Sequence, residues 1–273
     1  SRGRTFRSIQ DHTLVHRPRD ADRQPQHPDA AAAAGADLAQ RCCAHRVHSE
    51  RCGCHNADAG CHHPAEPDLN ARKDDEFLLR FLRVRKYDVE GALRNIRYYY
   101  RNRASSESVY AEFLPSNVLP AARKLCMMMP EKDVHGRPIF VFRPGTWIPD
   151  EVPHVDFHRA ALICYEHMAC DPVVQTLGIV LLVDFGGFTV DKLLSINIGL
   201  LRRAFEYIQD CMPIRLKVVH IVRQSYVFDM LFTLVRTFTK SKLVERVRFH
   251  GENFETLHEE VPPASLPEEY GGH

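Results

Sequence analysis

After about residue 105, short apolar runs alternate with segments in which apolar residues recur every three or four positions. The short runs at 138–143, 177–185 and 216–222 are rich in β-branched residues, which is typical of buried strands. Helical spacing marks residues 158–170 and 194–212, which lie between these runs. The order strand, helix, strand, helix, strand predicts a sheet with right-handed crossovers and helices packed on it.

The segment 212–251 contains an amphipathic helix next to an excess of positive charge. Ser225 is a candidate N-cap, and the apolar residues after it recur at helical spacing: Phe228, Leu231, Phe232, Val235 and Phe238. Such a stripe is compatible with ordinary core packing. Eight cations but only two acids are interleaved with it, and this imbalance favours a membrane surface with anionic headgroups. Residues 247–250 are a candidate for one more short strand.

Residues 1–65 differ in composition from the rest of the chain. They hold five of the nine cysteines and few large apolar residues, so they cannot build a core. One interpretation is a zinc site. The other is a disordered low-complexity segment, which we favour because the spacings form no paired C-x-x-C arrangement. The candidate ligands would be Cys42, Cys43, His45, His48, Cys52, Cys54, His55, Cys61, His62 and His63.

Residues 66–104 predict a small helical unit ahead of the α/β part. The segment 74–85 begins with acidic residues, which are favoured in the first turn of a helix, and its apolar residues lie on one helical face. Asp88 is a candidate cap for a second helix, whose stripe contains Ala92, Leu93 and Ile96. We therefore expect three parts, with boundaries at 1–65, 66–104 and 105–273.

The overall charge and hydrophobicity exclude several classes of protein. The formal net charge is only +1, and the acids crowd the stretch after Arg248, so nucleic-acid binding is not expected. The longest apolar run, 177–183, is far shorter than the roughly 20 residues that cross a bilayer. With no apolar leader pattern either, we expect a cytoplasmic protein.

No motif for catalysis is present. The chain has no glycine-rich nucleotide loop, no nucleophile elbow and no H-E-x-x-H, so we do not expect an enzyme. Asp184-Phe185-Gly186 matches the metal-binding triplet of protein kinases, but the other kinase motifs are missing. We interpret it as the end of a strand followed by a turn, and we expect no metal and no cofactor.

Three stretches in this order resemble the CRAL-TRIO lipid-binding family. DDEFLLRFLRVRKYDVEGAL is similar to its N-terminal helical part, and LGIVLLVDFGGF to its central strand and turn. The segment from Pro213 through KSKLVERVRFHG, which ends in LPEEYGG, is similar to its gate helix and ending. The resemblance covers roughly residues 66–273 and is greatest to the tocopherol-transfer, retinaldehyde-binding and clavesin-like branch.

The resemblance implies an α/β CRAL-TRIO fold, in which a mixed or parallel sheet flanked by helices encloses a hydrophobic cavity. A truncated helical N-terminal domain would precede it. The family's mobile gate helix would be residues 225–238, and the cavity would hold one tocopherol, retinoid or phospholipid molecule. The matching cavity positions are Ala161, Tyr165, Ile179, Val183, Ala204, Ile208, Met212, Phe228, Leu231, Phe232 and Val235.

The same branch holds a phosphoinositide headgroup through basic residues beside the gate. The matching positions here are Arg85, Arg215, Lys217, Lys242 and Arg246. The resemblance therefore implies a monomeric carrier that docks on membranes containing phosphatidylinositol bisphosphate, such as endosomes. An alternative is an adaptor in which the lipid is a structural plug and the acidic tail or N-terminal arm recruits a protein partner.

The chain departs from the family pattern at both ends of the gate. The family's Asn-x-Pro is replaced here by Arg223-Gln224-Ser225, and its Lys-Pro-Phe by Arg236-Thr237-Phe238. Since proline restricts the backbone, these replacements alter the hinges about which a gate would move.

Overall fold

The structure is a computed structural model that describes residues 33–38 and 71–272. Residues 33–38 form a short helix, α1, whose Leu38 is buried in the main core. The predicted zinc ligands lie outside the described residues, as does most of the 1–65 segment. The domain boundaries that we expect from the sequence therefore stay predictions.

A five-stranded mixed sheet forms the centre of the fold. Its strands lie side by side in chain order. β1 pairs antiparallel with β2, and the other three pairings are parallel. The strands are β1 (Cys126–Lys132), β2 (Pro138–Phe142), β3 (Ile179–Asp184), β4 (Leu216–Val222) and β5 (Val247–Gly251). The expected mixed sheet is thus confirmed, although the sequence pattern did not indicate β1, which lacks β-branched residues and contains Pro130.

Helices precede the sheet and flank it. Short 3₁₀ turns at Pro115–Asn117, Pro144–Thr146, Pro263–Ser265 and Glu268–Tyr270 connect several of the elements. The helices after α1 are α2 (Asp75–Val84), α3 (Val89–Ala104), α4 (Glu107–Tyr110), α5 (Pro120–Arg123), α6 (His154–Met168), α7 (Pro172–Leu177), α8 (Val190–Leu194), α9 (Ile198–Glu206), α10 (Tyr226–Arg236), α11 (Ser241–Val244) and α12 (Glu255–His258).

The two predicted N-terminal helices are present as α2 and α3, each with an aspartate cap. Asp74 accepts a hydrogen bond of 3.1 Å from the Phe77 N–H, and Asp88 accepts one of 3.1 Å from the Gly91 N–H. These carboxylates satisfy amide groups that the helix itself leaves without a partner. The caps fix where each helix begins, and this orients their apolar faces toward the core.

The helix predicted over 194–212 is interrupted in the structure. α8 ends at Leu194, and Asn197 caps a separate helix, α9, by accepting a 3.0 Å hydrogen bond from the Leu200 N–H. After Glu206 the chain widens into a π-turn, Tyr207–Cys211. The prediction of one continuous helix was wrong because asparagine is disfavoured inside a helix and strongly favoured as an N-cap, so Asn197 starts a new helix.

The sheet is buried on both faces. All six residues of β3 are buried, and its five apolar residues alternate between two core clusters. Leu181 and Val183 belong to the larger cluster, whereas Val180 and Leu182 pack against C-terminal residues such as Leu257. This explains why the sequence of β3 is continuously apolar rather than alternating.

Asp184, at the end of β3, ties three parts of the chain together. It accepts a hydrogen bond of 2.9 Å from the Arg223 Nε, a second from the Arg223 guanidinium, and one of 2.9 Å from the Tyr270 hydroxyl. The Gly186 N–H also donates to it at 2.9 Å. Burial alone would raise the pKa of Asp184, but these hydrogen bonds outweigh it and hold the pKa below its usual range.

The triplet Asp184-Phe185-Gly186, which matches a kinase motif, therefore stabilises the fold through its aspartate. Its aspartate fixes Arg223, which adopts a left-handed backbone with φ of 52° directly after β4. It also fixes Tyr270 in the C-terminal turn. The interpretation of this triplet as the end of a strand followed by a turn is confirmed by the geometry.

We expect Asp184→Ala to lower the free energy of unfolding by about 2–4 kcal/mol, because it leaves Arg223 and Tyr270 without their shared acceptor. Urea unfolding followed by circular dichroism measures the change. Asp191→Ala, at an exposed site in the first turn of α8, is the matched control and should change stability by less than about 1 kcal/mol. Equal effects of the two substitutions would contradict this role of Asp184.

Candidate ligand cavity

One face of the sheet and the helices that cover it enclose a cavity of about 220 Å³. A site for a single water needs only roughly 10–15 Å³, so this space is far larger than a packing defect. The wall includes side chains of β3, β4, α6, α9 and α10. No lining residue is an aspartate, glutamate, lysine or arginine, and an apolar wall of this kind favours a hydrophobic occupant.

Nine of the eleven cavity positions predicted from the sequence line this space. They are Ala161, Tyr165, Val183, Ala204, Ile208, Phe228, Leu231, Phe232 and Val235. The other two, Ile179 and Met212, do not line it. Both are buried within the main core cluster instead, where they make ordinary packing contacts. That any of these residues contacts a ligand stays a prediction.

A second part of the wall was not identified as cavity-lining from the sequence. It comes from the end of β2, the turn after it and the first half of α6, with Phe142, Pro144, Trp147, Phe157 and His158 among its members. The turn carries no helical or strand periodicity, so a pattern search overlooks it. Gly145 allows this turn to approach the 185–187 turn, because a Cβ there would lie 2.2 Å from the Gly186 carbonyl oxygen.

Helix α10 covers the cavity on one side. Its Phe228 stacks on Phe232, with ring centroids 5.4 Å apart, and meets Phe185 edge-on at 4.6 Å. Phe228, Phe232 and two further α10 residues, Leu231 and Val235, line the cavity. Four of the five residues of the apolar stripe predicted from the sequence therefore face the cavity, whereas Phe238 packs against the main core. Ser225 occupies the N-cap position, but its side chain makes no capping hydrogen bond.

The opposite face of α10 exposes large apolar side chains. Tyr226 is 71% exposed and Met230 is 55% exposed. On the neighbouring helix α8, which contacts α10, Leu194 is 78% exposed. Single exposed apolar residues are common, but here three of them lie on two helices that contact each other.

Polar side chains in the wall include two histidines one turn apart on α6. The Nδ1 of His154 accepts a 3.1 Å hydrogen bond from the Asn197 N–H, and its ring packs near Trp147. Burial lowers the pKa of His154 to about 4. Burial, assisted by the nearby His154, also lowers the pKa of His158 to about 4. Both imidazoles are therefore neutral at pH 7.

Three of the five predicted headgroup cations, Arg215, Lys217 and Arg246, lie at or against the start of β4. Arg215 donates from Nε to the Val84 carbonyl at 3.1 Å and from another nitrogen to the Arg83 carbonyl, beside Arg85. Arg246 donates to the Leu216 carbonyl, between Arg215 and Lys217. Lys242 is exposed on α11, one turn before Arg246.

Arg85, Arg215 and Arg246 also have structural contacts. Arg215 joins β4 to the end of α2, and Arg246 joins the α11 side of the fold to β4. Arg85 donates at 2.9 Å to the Asn95 amide oxygen, and burial lowers its pKa, an effect that Asp210 partly offsets. Because the same guanidinium groups hold the backbone, their substitution would change both the fold and the local charge.

The described part of the chain contains no cluster of three or more His, Cys, Asp or Glu side chains that could hold a metal ion. Among the helices in 33–38 and 71–272, none is both long and apolar enough to cross a bilayer.

The class of this protein is an α/β domain in which a mixed sheet and its flanking helices surround an apolar cavity. Residues 122–272 match the CRAL/TRIO domain family, so the chain belongs to this family. This confirms the resemblance to a lipid-binding family. The crystal structure of Sfh5 shares the fold with a TM-score of 0.55 at 13% identity, covering 90% of this chain and 88% of that one.

Two human proteins to which the chain is similar belong by name to the tocopherol-transfer and clavesin-like branch that the sequence resembled. "Alpha-tocopherol transfer protein-like" is 33% identical over 207 residues, covering 76% of this chain and 60% of that protein. Clavesin-2 is 33% identical over 212 residues, covering 76% of this chain and 64% of that protein. The chain thus spans about 60% of the length of the curated relatives it matches.

Acidification should destabilise the fold because the cavity histidines resist protonation. Between the unfolded pKa near 6.5 and the folded pKa of about 4, only the unfolded chain binds the extra proton, so stability falls as the pH drops through this window. For His158 alone the loss at pH 5 is about 2 kcal/mol. Urea unfolding of the wild type and His158→Leu at pH 7 and pH 5 measures it.

The His158→Leu variant should show a shallower loss of stability between these two pH values than the wild type. His135→Gln, at an exposed position, is the control and should keep the wild-type slope. An identical pH dependence in all three proteins would contradict the neutral state of the buried His158.

Proposed function

We propose that this chain binds one hydrophobic molecule in its cavity and transfers it between membranes. The observation that carries the proposal is the apolar space of about 220 Å³ beneath α10. A cavity of this size costs on the order of 5 kcal/mol of stability at about 24 cal/mol per Å³. An apolar guest would recover much of that free energy, which supports a ligand role over a packing defect. Tocopherol, a retinoid or a phospholipid chain are the candidate guests.

Helix α10 is suited to act as the gate. Its ends are attached to the rest of the domain by polar contacts: Arg223 binds Asp184 before it, and the Gln209 amide oxygen accepts a 2.6 Å hydrogen bond from the Lys240 N–H after it. Its inner face is held by apolar contacts, with no charged group facing the cavity. Apolar contacts have no directional requirement, so a membrane can replace them when the helix moves outward.

Membrane docking would use the apolar surface formed by Leu194, Tyr226 and Met230 together with the nearby cations. Aromatic and aliphatic side chains can enter the headgroup region, while Lys and Arg attract anionic lipids. Lys242 is exposed on the element that follows α10. We infer peripheral binding to phosphatidylinositol bisphosphate in cytoplasmic membrane leaflets, with endosomes as one candidate location.

Filling the cavity tests the ligand role. Ala161→Phe places a ring in the space beside Tyr165 and should reduce transfer of a fluorescent tocopherol analogue between vesicles by at least about tenfold, because the guest and the ring compete for one volume. Ala264→Phe, at an exposed position, is the matched control. Circular dichroism checks that both variants are folded.

Transfer by folded Ala161→Phe at the wild-type rate would exclude the cavity as the binding site. Tight binding by the wild type without any transfer would instead favour the alternative in which a lipid is a fixed structural plug.

Charge reversal tests the headgroup site. Lys217→Glu combined with Lys242→Glu avoids the guanidinium groups that hold backbone carbonyls, and we expect it to weaken binding to vesicles containing phosphatidylinositol bisphosphate by about tenfold or more. Lys124→Glu, an exposed change just before β1 at the far edge of the sheet, is the control. Co-sedimentation measures binding, and equal loss in the two variants would show only a general charge effect.

A further inference from the structure

Cys126 and Cys164 are free thiols that meet between the edge strand of the sheet and the helix that covers it. Cys126 is the first residue of β1, and Cys164 lies in the second half of α6. Both residues are partly buried, and neither is in a disulfide. The Cys126 thiol is hydrogen-bonded to the Cys164 sulfur.

The strand register and the helical period explain why the two side chains meet. Cys126 lies opposite Phe142 in the pairing of β1 with β2, so both side chains point to the same face of the sheet. Helix α6 covers that face, because the Phe142 ring stacks on Phe157 with ring centroids 4.8 Å apart. Cys126 packs against the cluster that contains Phe157 and Ala160. Cys164 is one helical turn after Ala160, which places its sulfur beside Cys126.

The other two cysteines in the described part of the chain have a different environment. The exposed Cys170 donates to the Glu166 carbonyl at 3.4 Å, and the buried Cys211 donates to the Glu206 carbonyl at 3.6 Å. A backbone oxygen is thus a sufficient partner for a thiol in this fold. A second sulfur is the partner that can also form a covalent bond on oxidation.

The contact makes the two sulfurs chemically unequal. The hydrogen bond from Cys126 lowers the pKa of Cys164 and outweighs the opposite effect of burial, since it stabilises the Cys164 thiolate. The same hydrogen bond, together with burial, raises the pKa of Cys126. Because the thiolate is the nucleophile, Cys164 should react first with an oxidant, and Cys126 is the resolving thiol beside it.

We propose that Cys126 and Cys164 are a modification site that forms a reversible disulfide with a two-electron oxidant such as hydrogen peroxide. The Cys164 sulfur attacks one peroxide oxygen and the O–O bond breaks. The departing hydroxide takes the thiol proton and leaves as water, and Cys164 becomes a sulfenic acid. The Cys126 sulfur then forms the S–S bond and displaces the hydroxyl, which leaves with the Cys126 proton as a second water.

The disulfide would join the edge strand to the helix that carries two cavity residues, Ala161 and Tyr165. The site does not depend on the proposed carrier function, because it needs only the two thiols and the oxidant.

Peptide mapping of the full chain tests this site. The protein is treated with hydrogen peroxide, catalase removes the excess, and iodoacetamide blocks the remaining thiols. The chain is then unfolded and cleaved with trypsin and Glu-C without reduction, and cleavage after Glu166 separates Cys164 from Cys170. We expect cross-linked peptides that contain Cys126 and Cys164, about 2 Da lighter than the two reduced peptides together, which dithiothreitol separates.

Single substitutions distinguish the two roles. In Cys126→Ser the resolving thiol is missing, so peroxide should leave Cys164 as a sulfenic acid that dimedone labels. In Cys164→Ser the remaining Cys126 should label at least about tenfold less, because burial still favours its protonated form. Cys170→Ser, at an exposed position, is the control and should form the disulfide as the wild type does.

Absence of the cross-linked peptides at a peroxide dose that oxidises Cys170 would overturn the proposal. A disulfide that joins Cys164 to Cys170, or to a cysteine within residues 1–65, in place of Cys126 would overturn it as well. Equal dimedone labelling in the two single variants would overturn the assignment of Cys164 as the first sulfur to react.

Discussion

The fold depends on an apolar interior that its own side chains do not fill. The sheet supplies one wall and α10 supplies another, yet about 220 Å³ remains between them. Such a space removes van der Waals contacts that a closed core would have. Packing elsewhere in the fold offsets the van der Waals contacts that are missing at the cavity. β3 is buried along its whole length. The second face of the sheet is covered by the C-terminal residues Leu257, Val261 and Tyr270.

Polar contacts at the edges of the cavity keep its wall in place without entering it. Asp184 holds Arg223 at the start of the α10 segment and Tyr270 in the last turn. Gln209 in the π-turn accepts from the Lys240 N–H and donates at 3.3 Å to the Phe238 carbonyl at the other end of α10. The helix that we propose as the gate is thus tethered at both ends, whereas its centre is held by side chains of low directionality.

The sequence was sufficient for those features that depend on local periodicity. Apolar spacing in α10 identified the side chains that face the cavity, and continuous hydrophobicity identified β3.

The sequence was not sufficient where contacts between distant residues determine the position of a side chain. Ile179 and Met212 are as apolar as their neighbours, and only the three-dimensional packing places them in the core beside the cavity. Trp147 reaches the wall from a turn without periodicity, and the break between α8 and α9 depends on one asparagine. The structural contacts of Arg215 with carbonyls over 100 residues away were equally inaccessible to pattern analysis.

The most direct test of the account is native mass spectrometry of the protein purified from its own source, followed by organic extraction of whatever is bound. The account predicts one non-covalently bound lipophilic molecule per chain, released on denaturation and recovered in the organic phase. A folded protein whose mass equals that of the polypeptide alone, and which still fails to take up a lipophilic molecule after incubation with membranes, would contradict it.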